Sequence, residues 1–243
     1  MTKDLNGKTI IVTGAGKGIG RATCLMLSGL GANVVAISRT ASDLESLKSE
    51  TGCKTHIFDI ANSAELRNVV RGVTSADGLV NCAGINILEP FLEVTEEAFD
   101  LIYAINTKAA MVAAQEFSRT LIAANRGGAI VNVSSMSSFV GFTDHTSYCA
   151  SKGAMDAMSR VMANELGPYG IRVNCINPIV TMTELAAEAW SDPEKSGPIL
   201  SRVPVGHFAE VDDIANLIVF LLSENSRMLN ATAIPVDGGF LSR

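Results

Sequence analysis

Charge is scarce in this chain. Asp, Glu, Lys and Arg make up 18% of its 243 residues, against about 25% in a typical soluble domain. No basic excess exists: 19 Lys and Arg face 25 Asp and Glu, for a net charge of −6 and a pI near 5.1. That balance argues against a nucleic-acid partner, which favours a basic face. No apolar run approaches the ~18 residues of a membrane span. The longest candidate, Ile214–Leu222, is broken by Asn216 and reads as a core helix, so no integral membrane association is expected. The opening Met-Thr-Lys-Asp-Leu-Asn-Gly-Lys lacks the apolar stretch of a secretory signal. The five cysteines are odd in number and scattered, with no C-x-x-C pair, which fits reduced thiols in the cytoplasm rather than a disulfide framework. Three histidines without ligand spacing predict no metal site.

What is abundant is apolar surface. Hydrophobic residues reach 47% and mean hydropathy is +0.27, so the chain predicts a large core and a buried subunit interface. Short apolar runs alternate with helical patterns throughout. Strands are predicted at 9–13, 33–38, 55–60, 78–84, 129–133, 171–177 and 232–237. Between them, helical spacing predicts helices after Gly20, over 43–50 and 64–73, one long helix over 95–125 capped by Thr95, a helix from Tyr148, and one over 210–222. Near-continuous apolar strands alternating with helices predict a parallel sheet covered on both faces: a single α/β, doubly wound domain over residues 1–243. Residues 179–207 lose periodicity and carry Pro193, Pro198 and Pro204; they predict a mobile segment with short helices.

Two constellations carry chemistry. The first strand runs into Gly14, Gly16, Lys17, Gly18, Ile19 and Gly20, and a helix follows. Such a loop permits a tight turn, close backbone approach to a pyrophosphate, and free amides at a helix start. It predicts dinucleotide binding. The second strand ends Ser38-Arg39-Thr40 with no acid for a ribose 2′-hydroxyl. Arg39 instead suits a 2′-phosphate, with Lys17 adding charge, so the cofactor is expected to be NADP(H). The second constellation is Ser135, at a strand end, with Tyr148 and Lys152 four residues apart on one helix face. An ammonium near a phenol favours phenolate. A hydroxyl at the strand end and this pair can converge on one carbonyl.

The ordered set Thr13-Gly-Ala-Gly-Lys-Gly-Ile-Gly20, Asn81-Cys-Ala-Gly84, Asn106, Ser135, Tyr148-x-x-x-Lys152, Asn177-Pro178 and Pro235-Val-Asp-Gly-Gly239 resembles the short-chain dehydrogenase/reductase family over essentially the whole chain. Within it, Val35-Ala-Ile-Ser-Arg-Thr40, Pro90-Phe-Leu-Glu-Val-Thr95, Trp190-Ser-Asp-Pro193 and Phe208-Ala-Glu210 resemble the NADPH-dependent L-xylulose (dicarbonyl) reductases. The resemblance implies a Rossmann-type fold. It also implies a tetrad: Tyr148 as general acid, Lys152 supporting it and holding ribose hydroxyls, Ser135 binding the substrate oxygen, and Asn106 holding a water that relays protons to Lys152. It places Asp59 and Ile60 at the adenine, Asn81, Ala83 and Gly84 at its ribose, and Pro178, Val180, Thr181 and Thr183 over the nicotinamide and phosphates. Ser137, Phe142, His145 and Trp190 would line the substrate pocket, whose polar rim suits a sugar ketose or a small dicarbonyl. Cys82, where the family more usually has Asn, puts a structural hydrogen bond in question.

The expected activity is reduction of L-xylulose to xylitol and of small α-dicarbonyls. The alternatives are another carbonyl substrate, such as a 3-oxoacyl thioester or a steroid, and a non-catalytic NADP-binding interaction protein. The family resemblance also implies a homotetramer, with helices 95–125 and 148–166 at one interface and helix 210–222 and the last strand at another.

Overall fold

The computed structural model describes residues 5–242, apart from the side chains of residues 185, 188 and 189. In chain order the elements are β1 (Thr9–Thr13), α1 (Gly18–Gly29), β2 (Asn33–Ser38), α2 (Ala41–Thr51), β3 (Lys54–Ile57), α3 (Ser63–Gly72) and β4 (Ala76–Asn81). Next come α4 (Glu96–Tyr103), a π-helical turn (Ala104–Lys108), α5 (Ala109–Ala123), β5 (Gly128–Val133) and α6 (Thr146–Leu166). The chain closes with β6 (Ile171–Pro178), β7 (Thr181–Met182), α7 (Glu184–Ala189), α8 (Pro193–Leu200), β8 (Ala209–Glu210), α9 (Val211–Leu222) and β9 (Ala233–Val236).

The described residues form a seven-stranded parallel sheet in the order β3-β2-β1-β4-β5-β6-β9. The order reverses between β1 and β4, which makes that junction the switch point where such sheets bind ligands. Strand side chains alternate between two cores. Ile10 and Val12 of β1 pack with Leu27 of α1, Leu44 of α2, and Ile214, Ile218 and Leu221 of α9. Ile11, between them, packs on the other face with Leu66 of α3 and Val112, Phe117 and Leu121 of α5. The central strands are buried on both faces, so most read as near-continuous apolar runs.

Local signals set the element ends. Asn62 caps α3 by accepting from the Glu65 amide, and Thr95 caps α4 by accepting from the Ala98 amide. Glu210 and Asp213 form a reciprocal capping box on α9. Four expectations shift. The fourth strand, expected over 78–84, spans Ala76–Asn81 and gives way to the glycine turn. The third strand ends at Ile57 rather than 60, because the Asp59 carboxylate accepts from the Ala61 amide and turns the chain. The long helix over 95–125 is interrupted at Ala104–Lys108, where it widens into a π turn. The helix expected from Tyr148 starts two residues earlier, at Thr146.

The segment 179–207 holds two short helices, as expected. It is tied at its base by a separate two-stranded parallel ribbon, Thr181↔Ala209 and Met182↔Glu210. Trp190 meets Phe208 edge-on at 5.8 Å between ring centroids. Among the described residues no helix is long and apolar enough to cross a membrane.

Candidate active site

One cavity of about 1030 Å³ runs across the carboxyl ends of the strands, from the β1 and β2 ends to the start of α6. Its floor at the switch point is made by two touching loops. A Cβ on Gly14 would lie 2.7 Å from the Ala83 backbone, and one on Gly20 would lie 2.2 Å from the Gly14 carbonyl oxygen. Neither distance is sterically possible, so glycine is required at both positions. Thr13 joins the loops: its Oγ1 donates to the Val80 carbonyl and accepts from the Cys82 and Ala83 amides at 3.1 and 3.3 Å. Gly18 sits at φ 53°, and a Cβ there would strike Thr183 at 2.8 Å. These glycines leave a narrow backbone cradle, of the kind a pyrophosphate fills.

At one end the cavity is lined by Lys17, Ser38, Arg39, Thr40, Asp43 and Asp59. The Arg39 side chain has no hydrogen-bond or ion-pair partner among the described residues and is exposed. Lys17 lies 3.7 Å from Asp43, an exposed contact worth little in water. A planar cation left unpaired at the end of β2 suits a phosphate dianion.

At the other end stand Ser135, Tyr148 and Lys152. Ser135 follows β5, whereas Tyr148 and Lys152 lie on successive turns of α6. Lys152 is 4% exposed, donates to the Val133 carbonyl at 2.8 Å, and lies 5.5 Å from the Tyr148 ring centroid. The neighbouring hydroxyl, Ser134, is buried and donates to the Lys152 carbonyl at 3.3 Å, so it is committed to structure. Among the described residues the Ser135 Oγ accepts only from the Ser137 amide, and its proton remains available. Asn106 lies on the π turn. Its amide accepts from the Ile85 N–H and donates to the Ile85 carbonyl and to Ser151 Oγ, at 2.8–3.0 Å. Its side chain therefore clasps the Gly84–Ile85 loop to α6 and does not itself line the cavity.

The pocket wall carries Ser137, Phe142, His145 and Trp190. His145 stands edge-on to Tyr148 at 6.2 Å. Its Nδ1 is 2.6 Å from the Thr143 carbonyl, which can only accept, so Nδ1 holds the proton. In the neutral ring, Nε2 is then an acceptor. Asp144, at φ 63°, turns the wall, and its carbonyl accepts from the Glu89 amide.

Nearly all the residues singled out from sequence meet at this cavity: Lys17, Gly18 and Ile19, Asp59 and Ile60, Ala83 and Gly84, and Pro178, Val180, Thr181 and Thr183 among them. Gly16 does not line it, since it packs against Ser38 and Asp43; nor does Asn81. Its side chain is buried and donates to Asn132 Oδ1 at 2.8 Å, bracing β4 against β5. Cys82 takes its place in the lining. Burial pushes the Cys82 thiol up to about 11, with Lys152 opposing, so it is a neutral wall group at neutral pH. Asp43, Phe58, Ile85, Glu184 and Ile199 also line the cavity and were not picked out from sequence as pocket residues. Asp43 carried only the signal of a first-turn helix acid. Glu184 lies in the stretch without periodicity and gave none.

The family profile described as "Enoyl-(Acyl carrier protein) reductase" matches residues 14–241. The chain belongs to the short-chain dehydrogenase/reductase family. Within this family it is 48% identical to the L-xylulose reductase of Bos taurus, over 98% of each chain. It is 47% identical to the D-erythrulose reductase of Gallus gallus, over 99% of each. Among solved members of the family, it superposes with a TM-score of 0.93 and 32% identity on a provisionally assigned 2-deoxy-D-gluconate 3-dehydrogenase from Agrobacterium tumefaciens with bound NADP, covering 100% of this chain and 99% of that one.

Proposed function

We propose that the protein is an NADPH-dependent carbonyl reductase that reduces L-xylulose to xylitol, and small α-dicarbonyls likewise, with Tyr148 as general acid. The observation that carries this reading is a single cavity with an unpaired Arg39 and a glycine cradle at one end and Ser135, Tyr148 and Lys152 at the other. The cofactor is NADP(H), which supplies the hydride when bound.

The chain's own residues do the rest. The Gly14–Gly20 backbone and Thr183 hold the pyrophosphate, and Arg39 and Lys17 hold the 2′-phosphate. Ser135 donates its free proton to the substrate carbonyl oxygen, where negative charge grows during reduction. Tyr148 donates the proton that completes the alcohol and acts as base in the reverse direction. Lys152, fixed by the Val133 carbonyl, stabilises the charge left on the phenol and binds the nicotinamide ribose hydroxyls. Asn106 holds the π turn against α6, where a water can relay protons to Lys152.

The substrate end favours an uncharged polyol. His145 presents an acceptor for a substrate hydroxyl, and Trp190 and Phe142 supply apolar walls. A sugar acid, as in the gluconate enzymes, fits less well. Among the described residues the Lys and Arg lining the cavity are Lys17 and Arg39 at the cofactor end and the buried Lys152, and Glu184 adds negative charge. Acyl thioesters and steroids are the competing carbonyl substrates, and a substrate panel ranked by kcat/KM separates them.

We also assign the enzyme to the cytoplasm as a homotetramer. Leu92 is 93% exposed and Phe91 74%, beside exposed Phe99, Leu101 and Tyr103 of α4. A patch of this kind marks an interface.

The test is NADPH oxidation followed with L-xylulose and with diacetyl, against NADH. We expect substrate-dependent turnover with NADPH, lost by about 10²-fold or more in Tyr148→Phe while cofactor still binds. No acceleration by either carbonyl sinks the reading. Cofactor binding without turnover on any carbonyl favours the non-catalytic alternative.

A further inference from the structure

Ser135 must present its hydroxyl to the substrate, yet it lies in a loop after β5. What holds that loop is buried behind it. Asn177, at the end of β6, is fully buried, and its Nδ2 lies 2.8 Å from Ser138 Oγ, 3.2 Å from the Ser135 carbonyl and 2.9 Å from Asp156 Oδ2. Ser138 Oγ in turn donates to the Ser135 carbonyl at 2.8 Å. Asp156 is 5% exposed and lies one turn beyond Lys152 on α6.

The direction of this chain of bonds is not set by Asn177 itself. Its Oδ1 is buried with no hydrogen-bond partner among the described residues. An amide with an idle oxygen has nothing on that side to favour one orientation over its flipped form. Ser138 does not choose either, since a hydroxyl both donates and accepts. Two members of the cluster accept only: the Ser135 carbonyl, 3.2 Å from Nδ2, and the Asp156 carboxylate when ionised, at 2.9 Å. The carboxylate claims one Nδ2 hydrogen, and both groups reject the amide oxygen. The second Nδ2 hydrogen then points at Ser138 Oγ, whose own proton goes to the Ser135 carbonyl.

We propose that Asp156 is a positioning residue: its carboxylate, together with the Ser135 carbonyl, fixes the orientation of the Asn177 amide and so anchors the bonds that hold Ser135 in its reactive place. The inference rests on the carbonyl-reductase reading above. Asp156→Asn keeps the shape but can offer Asn177 a donor in place of an acceptor, which removes one of the two groups that orient the amide and leaves the Ser135 carbonyl to hold it alone. Ser138→Ala cuts the link without changing buried charge, and Ser138→Thr restores the hydroxyl.

The experiment is steady-state reduction of a carbonyl that the wild type turns over, with NADPH affinity measured separately by cofactor fluorescence. We expect kcat to fall about tenfold in Asp156→Asn and several-fold in Ser138→Ala. NADPH affinity should stay within twofold in both, and Ser138→Thr should recover the rate. Turnover within twofold of wild type in both variants overturns the proposal. So does a parallel loss of kcat and cofactor affinity in both, which assigns the cluster to folding alone. Absence of wild-type turnover on every carbonyl would overturn the functional reading and this inference with it; unchanged variants of an active wild type overturn this inference only.

Discussion

Arg39 and Ser135 were legible as single residues because their chemistry depends on where a strand ends, and strand ends were marked by composition. Arg39 follows a run of Val and Ile, and Ser135 follows Val133. Arg39 also yields a clean discrimination experiment. Replacing it with Ser should raise the KM for NADPH by about tenfold or more, the worth of a charge-assisted pair, and leave the constants for NADH unchanged. Equal effects on both cofactors would remove Arg39 from the 2′-phosphate site. The hidden residues were those whose role depends on a partner far away in sequence. Asn81 reads as a ribose contact, but Asn132, across the sheet, turns its side chain into the interior. Asn177 reads as half of an Asn-Pro pair, and only folding brings Asp156 and Ser138 to its amide. Asp43 reads as a helix-start acid, and its place in the cofactor end follows from the β1–β2 pairing.

At the scale of elements, α3 and α5 are joined by a device with a pH signature. Glu116 of α5, 2% exposed, accepts from Arg67 and Arg71 of α3 and from Arg119. Burial alone would raise its carboxyl, but the guanidinium groups overcome this and hold it below the usual carboxylate range. Glu116→Gln leaves three cations without their acid. The arginines reach solvent, so we expect a loss of roughly 1–3 kcal/mol, short of the ~3–5 of a fully buried pair. That corresponds to a Tm lower by roughly 2–12 °C. Because the folded carboxyl is depressed, its stabilisation is present above the unfolded value near 4.3 and is lost as pH falls through the folded value. The Tm gap between wild type and variant, followed by calorimetry, should therefore close below about pH 4; a gap constant down to pH 3 rejects the pairing as its cause. Element type was readable here because α3 and α5 show helical periodicity. The π turn was not, since one extra residue per turn shifts the apolar phase without breaking it. It is nonetheless the turn that aims Asn106 at Ile85 and Ser151.

For the whole molecule, the parallel sheet followed from its doubly buried strands, whereas the proposed assembly has only a weak compositional trace. The exposed run of Phe91, Leu92, Phe99 and Tyr103 predicts that the isolated monomer is a minority species. Sedimentation at micromolar protein should give four chains per particle, and Leu92→Asp should shift the mass toward smaller species. A monomer for the unaltered chain rejects the assembly. The strap between β7 and β8 reads only as a mobile segment with short helices, because its order comes from pairing across that ribbon and from Trp190 on Phe208. Its base is shut by Thr181↔Ala209, away from the seven-stranded sheet. A loop closed at its neck loses only about 0.6 kcal/mol for each doubling of its length. Residues can thus be added to or exchanged within the strap at little thermodynamic cost, while Ser135, just past β5, and Tyr148 and Lys152, on α6, stay in place. Substrate choice and hydride chemistry are thereby free to evolve at separate rates on one scaffold.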